Sequence, residues 1–296
     1  MSRIFSILLS FLAFFLFSCN QENKEPKMKI IFLHHSTGKV IWQGNKDNFA
    51  VNIAEKISSR VAEILRPKGQ LPSLFKKFNK VNGTNYNINE ISFPKNSPYG
   101  WKNYVYDYYN IWIRNAGDTP FMEEPTLEML TKDYQVIIFK HCFPVSNILA
   151  DSLSIDLNSE VKTLNNYKFQ YALLKEKMLQ FPDTKFIVWT GAAQVKSAIT
   201  EDEAIRAKEF FKWIREEWDI NNDNIYLWDF YELQTKGGLY FLEEYARSST
   251  DSHPNKNFAG KACRLLFNRI IDVIENNGNG TKVTGDPIST NLNLRI

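Results

Sequence analysis

The sequence is poor in the residues that bind metals and form disulfides: its 296 residues include three cysteines and four histidines. It has no HExxH pattern and no paired CxxC spacing, and so few cysteines exclude a small disulfide-stabilised domain. Lys and Arg number 36 against 33 Asp and Glu, and no long basic run is present, which argues against nucleic-acid binding. We therefore expect no cofactor, no metal and no nucleic-acid partner, and a small or neutral ligand is favoured.

The amino-terminal segment has a different composition from the rest of the chain, because the run from Ile4 to Phe17 is almost wholly apolar. This run is shorter than the ~20 residues that a membrane-spanning helix needs, so residues 1–18 are interpreted as a signal peptide. The residues LFSC that end at Cys19 resemble a bacterial lipobox. The resemblance implies that Cys19 carries lipid and that residues 19–28 form the anchor and a polar tether. A plain secretory signal or a buried cysteine is the alternative.

A lipid on Cys19 would place the protein at a membrane, because each buried methylene group contributes roughly 0.8 kcal/mol. The predicted location is the bacterial cell envelope, outside the cytoplasm, either at the periplasmic face or at the cell surface. A disulfide is permitted in that compartment. Cys142 and Cys263 are far apart in sequence, however, and two unpaired, mostly buried thiols are the favoured interpretation.

Short apolar runs rich in β-branched and aromatic residues alternate with helical patterns along the chain, as in a sheet of buried parallel strands. The predicted strands are Lys29 to Leu33, Ile88 to Phe93, Tyr134 to Phe139, Lys185 to Thr190 and Asn224 to Phe230. The predicted helices are Ala50 to Leu65, Asn165 to Gln180, Glu201 to Trp218 and Asn257 to Asn276.

The alternation of strands and helices predicts an α/β fold: a three-layer α/β/α sandwich with a central, mostly parallel five-stranded sheet. It occupies residues 29–276 as a single domain, without an internal repeat. Residues 277–296 are rich in Asn, Gly and Thr and lack apolar periodicity, which predicts a flexible tail.

The histidines lie at three places, each directly after a predicted strand or just before the last helix: His34 with His35, His141, and His253. In an open parallel sheet these places belong to the carboxyl ends of the strands, where ligands bind. Ser36 also follows the first strand directly, so its hydroxyl and backbone N–H are predicted to face a pocket there.

A serine nucleophile needs a base that takes its proton. His253 is the candidate base, Asp251 would orient the imidazole ring, and Pro254 stiffens the loop that carries them. The non-catalytic alternative is that Ser36 is the N-cap of a helix and His253 a loop histidine that caps the last helix.

The order of these features resembles the SGNH hydrolase superfamily, also called GDSL esterases and lipases, over about residues 29–276. In that superfamily the nucleophile follows the first strand, and an Asp and a His lie together near the carboxyl terminus. The block His-His-Ser-Thr-Gly around Ser36 resembles the one that a subgroup of bacterial members carries in place of Gly-Asp-Ser. The resemblance implies a serine esterase with Ser36 as nucleophile, His253 as base and Asp251 as acid.

The resemblance also implies an oxyanion hole. Gly100 is expected to supply its glycine and Asn147 its amide donor, and His35 is expected beside the substrate. The chain departs from the family's Gly-x-Asn-Asp turn, because it reads KHCFPVSN after the third predicted strand. It also has one residue between Asp251 and His253 where the family commonly has two. Thr250 then holds the usual acid position, so a Ser-His dyad stays open as an alternative.

A zinc site made of His34 or His35, His141, Asp251 and His253 is a disfavoured alternative. Neighbouring residues of an extended strand point to opposite sides, so only one residue of the His34–His35 pair can face the pocket. The other is expected to pack in the core.

The sequence predicts an extracytoplasmic serine ester hydrolase that acts on a carboxylic ester through an acyl-enzyme on Ser36. Residues 99–112 contain seven Tyr or Trp residues, which suggests an O-acyl or acetyl ester of a carbohydrate as substrate, although packing between helix and sheet is the favoured role of these rings. The alternative function is a non-catalytic surface lipoprotein that keeps the SGNH scaffold and binds glycan or protein. The departures from the family pattern favour that alternative, whereas the presence of both Ser36 and His253 favours the enzyme.

Overall fold

The computed structural model describes residues 27–45, 69–100, 104–151, 156, 158–219 and 223–288. The predicted signal peptide, Cys19 and the helix predicted from Ala50 to Leu65 lie outside these residues. Within the described ranges, no helix combines the length and the apolar composition that crossing a membrane requires.

The five predicted strands are present and form one parallel sheet in the order β2-β1-β3-β4-β5. Their bounds are β1 Met28–His34, β2 Tyr86–Ser92, β3 Val136–Phe139, β4 Lys185–Trp189 and β5 Ile225–Trp228. Strand β1 lies between β2 and β3, and its residues 30–33 are at most 1% exposed. Burial on both faces explains why β1 reads as a continuous apolar run.

Helices cover the sheet on both faces. Eight α-helices lie in the described ranges: α1 Ser36–Gln43, α2 Gln70–Asn82, α3 Val105–Tyr109, α4 Leu127–Asp133, α5 Leu164–Leu179, α6 Glu201–Trp213, α7 Phe230–Thr235 and α8 Lys256–Asn276. Helices α1, α2 and α8 contact one another, and α5 contacts both α3 and α6. The three-layer α/β sandwich is thereby confirmed.

Most rings of the aromatic stretch belong to the core. Five of them, Tyr104, Tyr106, Tyr108, Tyr109 and Trp112, are at most 8% exposed. Tyr108 packs on Phe139 of β3 with the ring centroids 5.0 Å apart. These rings pack helix α3 and the turn after it against the sheet, as the favoured interpretation held. Cys142 and Cys263 are buried, and within the described residues no disulfide joins them.

Residues 277–288, for which composition predicts a flexible tail, instead pack against β5 and α8. The fully buried carboxylate of Asp272 accepts hydrogen bonds from the backbone N–H of Gly280 and from the N–H and hydroxyl of Thr281, at 2.7–2.8 Å. Arg269 donates to the carbonyl of Gly278 at 2.8 Å. Polar contacts to buried charges in α8, rather than apolar periodicity, order this segment, so a hydropathy pattern does not detect it.

The substitution Thr281→Val is expected to lower the free energy of unfolding by about 1.5–3 kcal/mol, because it deprives the buried Asp272 carboxylate of a hydroxyl donor. Urea unfolding followed by circular dichroism measures the change. Thr284→Val is the matched control, since its hydroxyl binds the exposed Asp286. An equal effect of both substitutions would contradict this account of the buried carboxylate.

Candidate active site

The carboxyl end of β1 lies at the point where the order of the strands reverses. In a sheet of order 2-1-3-4-5, the crevice between the carboxyl ends of β1 and β3 is where ligands bind. His34 is the last residue of β1, His35 follows it, and Ser36 begins α1. The Ser36 side chain is exposed. The strand-to-helix turn therefore presents this hydroxyl at the ligand-binding edge of the sheet.

The first turn of α1 begins without a side-chain cap. His35 is the N-cap residue, and its side chain accepts no hydrogen bond from the turn that follows. The first N–H groups of a helix have no acceptor within it, so those of Ser36 and its successors point outward. Ser36 is thus the first residue of the helix and not its N-cap. Gly38 is needed in this turn, since a Cβ there would lie 2.4 Å from the Cβ of His34.

Asp251 and His253 form a hydrogen-bonded pair on the short strand β7 (Asp251–Pro254), which pairs with β6 (Ala246–Ser248). Asp251 Oδ1 accepts from the His253 ring nitrogen Nδ1 at 2.6 Å and from the His253 backbone N–H at 2.9 Å. Because the two residues are separated by one, a single carboxylate oxygen reaches both donors. Burial raises the pKa of Asp251, but these hydrogen bonds and the charges of His253 and Arg247 outweigh it, so the pKa lies below its usual value.

Two further contacts hold the ring of His253 and the strand that carries it. The ring of Phe143 meets it edge-on with the centroids 4.9 Å apart. The hydroxyl of Ser252 accepts from the backbone N–H of Val195 at 3.0 Å, which ties β7 to the loop after β4. The last helix is capped by Asn255, whose side chain accepts from Phe258 N at 3.0 Å. His253 is therefore not a helix cap.

Helix α1, which begins at Ser36, packs beside β7, which carries His253. The structure thus brings the elements that carry Ser36 and His253, which are far apart in the sequence, to one edge of the fold. Within the described ranges no hydrogen bond joins Ser36 to His253, whose printed bonds are to Asp251. Thr250 is exposed and its hydroxyl lies 3.3 Å from that of Ser248, so Asp251 rather than Thr250 holds the ring.

Ser36 lines a cavity of about 310 Å³ at the edge of the sheet. The other lining residues are His34, His35, Lys39, Glu90, Ile91 and Ser92. All but one of these side chains are polar. Glu90 lies at the centre of the set, since its carboxylate binds His34 Nε2 at 2.8 Å and Lys39 Nζ at 2.5 Å. His34 is 2% exposed, and it is the packed member of the His34–His35 pair.

Two residues predicted for the oxyanion hole are engaged elsewhere. The backbone N–H of Gly100 donates to the carbonyl of Asn96 at 2.7 Å, inside a tight turn with a left-handed φ of 79° at the glycine. The amide of Asn147 donates to Glu203 at 3.4 Å and accepts from Gln194 at 3.2 Å. In this structure the N–H of Gly100 and the amide of Asn147 therefore already have protein partners.

His141 and Lys140, directly after β3, are core residues. His141 is 1% exposed, and its Nε2 lies 2.7 Å from the hydroxyl of Tyr171. Lys140 is fully buried and donates to the thiol of Cys142 at 3.7 Å. Burial lowers the pKa of Lys140, although the neighbouring Cys142 opposes the shift. Within the described part of the chain, no three His, Cys, Asp or Glu residues are grouped as ligands for a metal ion.

Sequence reasoning missed Glu90, Lys39 and Phe143. Glu90 is a charged residue on a predicted strand and Lys39 lies one helical turn from the N-cap, so each reads as an ordinary surface residue. Phe143 belongs to a short loop whose apolar residues read as core. Only the pairing of β1 with β2 and the return of β7 toward α1 bring these side chains to the site.

The solved structures that are similar to the chain include two of low sequence identity. No protein-family model and no curated protein matches the chain. A gut microbial diltiazem-metabolizing enzyme is 12% identical with a TM-score of 0.43, over 82% of this chain and 46% of that one, so the chain spans about half its length. A carbohydrate esterase whose active site displays divergent catalytic and non-catalytic binding functions is 12% identical with a TM-score of 0.36, over 84% and 70%.

The buried His141 makes the fold sensitive to acid. Burial, together with the charge of Lys140, lowers its pKa from 6.5 to about 3 in the folded protein. Since the folded pKa lies below the unfolded one, the stability that neutral His141 contributes is complete above pH 6.5 and is lost as the pH falls toward 3.

Between pH 6 and pH 5 we expect this group to lower the free energy of unfolding by about 1 kcal/mol. Urea unfolding of the parent and of His141→Phe at pH 7, 6 and 5 measures the difference, and the variant should lose stability less steeply. Parallel pH dependences would contradict a neutral, buried His141.

Proposed function

We propose that the protein is a serine ester hydrolase with Ser36 as nucleophile and the Asp251–His253 pair as its base. The observation that carries the proposal is that one Asp251 oxygen accepts hydrogen bonds from both the ring and the backbone N–H of His253. The strand that carries this pair packs beside the helix that begins at Ser36. A ring held through Nδ1 presents Nε2 as the proton acceptor, as a general base requires.

The reaction proceeds through an acyl-enzyme. Ser36 Oγ attacks the ester carbonyl carbon while His253 Nε2 takes the hydroxyl proton, and Asp251 stabilises the imidazolium that forms. The free N–H groups at the start of α1 stabilise the negative charge that develops on the carbonyl oxygen. The C–O bond to the alcohol breaks, and the alcohol leaves with the proton from His253. Water, activated by His253, then releases the acid and restores Ser36.

The lining of the cavity beside Ser36 supports a substrate with a short acyl group and a polar alcohol, such as an acetyl or similar ester of a carbohydrate. Glu90, Lys39 and Ser92 offer hydrogen-bond acceptors and donors, whereas a long acyl chain needs an extended apolar wall. Ile91 is the single apolar side chain in this lining.

Replacement of Ser36 or of His253 by alanine is expected to lower the turnover of p-nitrophenyl acetate by at least ~10³-fold, because each substitution removes a member of one catalytic unit. Asp251→Asn should lower kcat by ~10²-fold or more, since an amide cannot stabilise the imidazolium. Release of p-nitrophenol measures turnover, and Thr250→Val is the matched control on the same loop. Undiminished turnover in Ser36→Ala would refute the nucleophile.

Absence of turnover in the parent, together with no labelling of Ser36 by a fluorophosphonate, would favour the second candidate: a non-catalytic protein that uses the same polar cavity to bind a glycan. Binding of neutral oligosaccharides measured by calorimetry, with Glu90→Ala as the comparison, distinguishes this candidate.

We further propose that the protein is anchored in the cell envelope through lipid on Cys19, which the residues LFSC support. The full chain expressed in a bacterial host is expected to incorporate labelled fatty acid and to sediment with membranes. Cys19→Ala should abolish both, because it removes the acyl chains that hold the protein at the bilayer. Incorporation that persists in this variant would refute Cys19 as the lipidated residue.

A further inference from the structure

Glu124 is a fully buried carboxylate that lies outside the catalytic set. It ends a tight turn in which Phe121 and Glu124 exchange backbone hydrogen bonds of 3.0 and 2.9 Å. The two residues between them, Met122 and Glu123, adopt left-handed φ values of 48° and 64° without being glycine. Glu124 Oε2 is buried, and no described residue forms a hydrogen bond with it. A buried, incompletely paired carboxylate on a strained turn is unfavourable for folding, which points to a functional constraint.

One peptide unit connects Glu124 to the residue before the nucleophile. Glu124 Oε1 accepts from the backbone N–H of Lys95 at 2.6 Å. The carbonyl of Pro94, at the other end of the same peptide bond, accepts from His35 Nε2 at 2.5 Å. A carboxylate that binds the N–H of a peptide polarises its carbonyl and makes it a stronger acceptor. Glu124 therefore strengthens the hydrogen bond that holds His35.

This hydrogen bond fixes the tautomer of His35. A carbonyl oxygen only accepts, so Nε2 carries the proton and Nδ1 carries the lone pair. Burial lowers the pKa of His35 to about 4, and the charges of Lys140 and His34 act in the same direction against the carbonyl of Pro94. The ring is thus neutral near pH 7. His35 is the N-cap residue of α1 and lines the cavity beside Ser36.

We propose that Glu124 is a positioning residue which, through the peptide unit between Pro94 and Lys95, holds His35 in the Nε2–H tautomer beside Ser36. The proposal rests on the proposed function for its effect on catalysis, but the tautomer of His35 is a property of the folded protein itself.

The hydrogen bond from Lys95 N to Glu124 also anchors the exposed residues 95–98 at one end. At the other end, the hydroxyl of Tyr99 donates to the buried Asp107 at 3.2 Å.

The test removes the single N–H that Glu124 binds. Lys95→Pro deletes this donor from an exposed residue, and Lys95→Ala removes the same side chain but keeps the N–H. The full chain, labelled with ¹⁵N-histidine, has four histidines, and His35→Gln assigns the resonances of His35. The ¹⁵N shifts of the ring report which nitrogen carries the proton.

Relative to Lys95→Ala, we expect Lys95→Pro to show a mixture of His35 tautomers. We expect its kcat for p-nitrophenyl acetate to fall by about 10-fold or more, and its KM to change by less than ~3-fold. The reason is that a misplaced neighbour of the nucleophile affects the transition state more than it affects substrate binding. Identical tautomer populations in the two variants would overturn the proposal, whether or not the protein hydrolyses esters.

Glu124 itself gives the second comparison. Glu124→Gln retains an acceptor oxygen and should keep the Nε2–H tautomer, whereas Glu124→Leu removes the acceptor and should resemble Lys95→Pro. A Glu124→Leu variant that folds and keeps a pure Nε2–H tautomer would overturn the proposal. If the parent has no esterase activity but the tautomer responds as stated, the proposed function fails and the positioning role stands.

Discussion

The burial of strand β1 on both faces is the constraint on which the site depends. Its apolar residues fix the strand between β2 and β3, so the polar residues that follow emerge at one defined point. The ring of His34 binds Glu90 on the neighbouring strand, and the ring of His35 donates to the carbonyl of Pro94. Ser36 is exposed to solvent. Three consecutive polar side chains thus take three different directions, because the strand ends and the helix begins within them.

Buried polar groups with few or no partners lie close to this end of the sheet. Among the described residues, the hydroxyl of Thr37, the Nδ1 of His141 and the indole N–H of Trp189 are buried without a hydrogen-bond partner, and the ammonium of Lys140 donates to the thiol of Cys142. Each such group is unfavourable for folding by about 1–3 kcal/mol. The apolar core therefore stabilises a carboxyl edge that would not be stable by itself, which is typical of folds that carry a reactive site.

Much of the fold follows from the sequence, because buried strands and amphipathic helices leave periodic apolar patterns. The strand that ends before His34 and the helix that begins after Asn255 are examples, and their ends also place Ser36 and His253. Helix α2 and the short helices α3, α4 and α7 were not predicted, since charged or aromatic residues obscure their periodicity. The hydrogen bond of Asp251 to His253 agrees with the expectation for Asp251, although a Ser-His dyad was open because one residue and not two separates them. The roles of Glu90, Phe143 and Glu124 depend on contacts between distant segments that no local pattern encodes.

The segment after α8 also changes one edge of the sheet. The carbonyl of Val283 accepts from the backbone N–H of Asp229 at 2.8 Å, and that of Thr284 accepts from the indole of Trp228 at 2.9 Å. An edge strand with free N–H and carbonyl groups invites pairing with a strand of another molecule. By covering the carboxyl end of β5, these residues block strand addition there, so the chain carries its own protection against edge-to-edge aggregation.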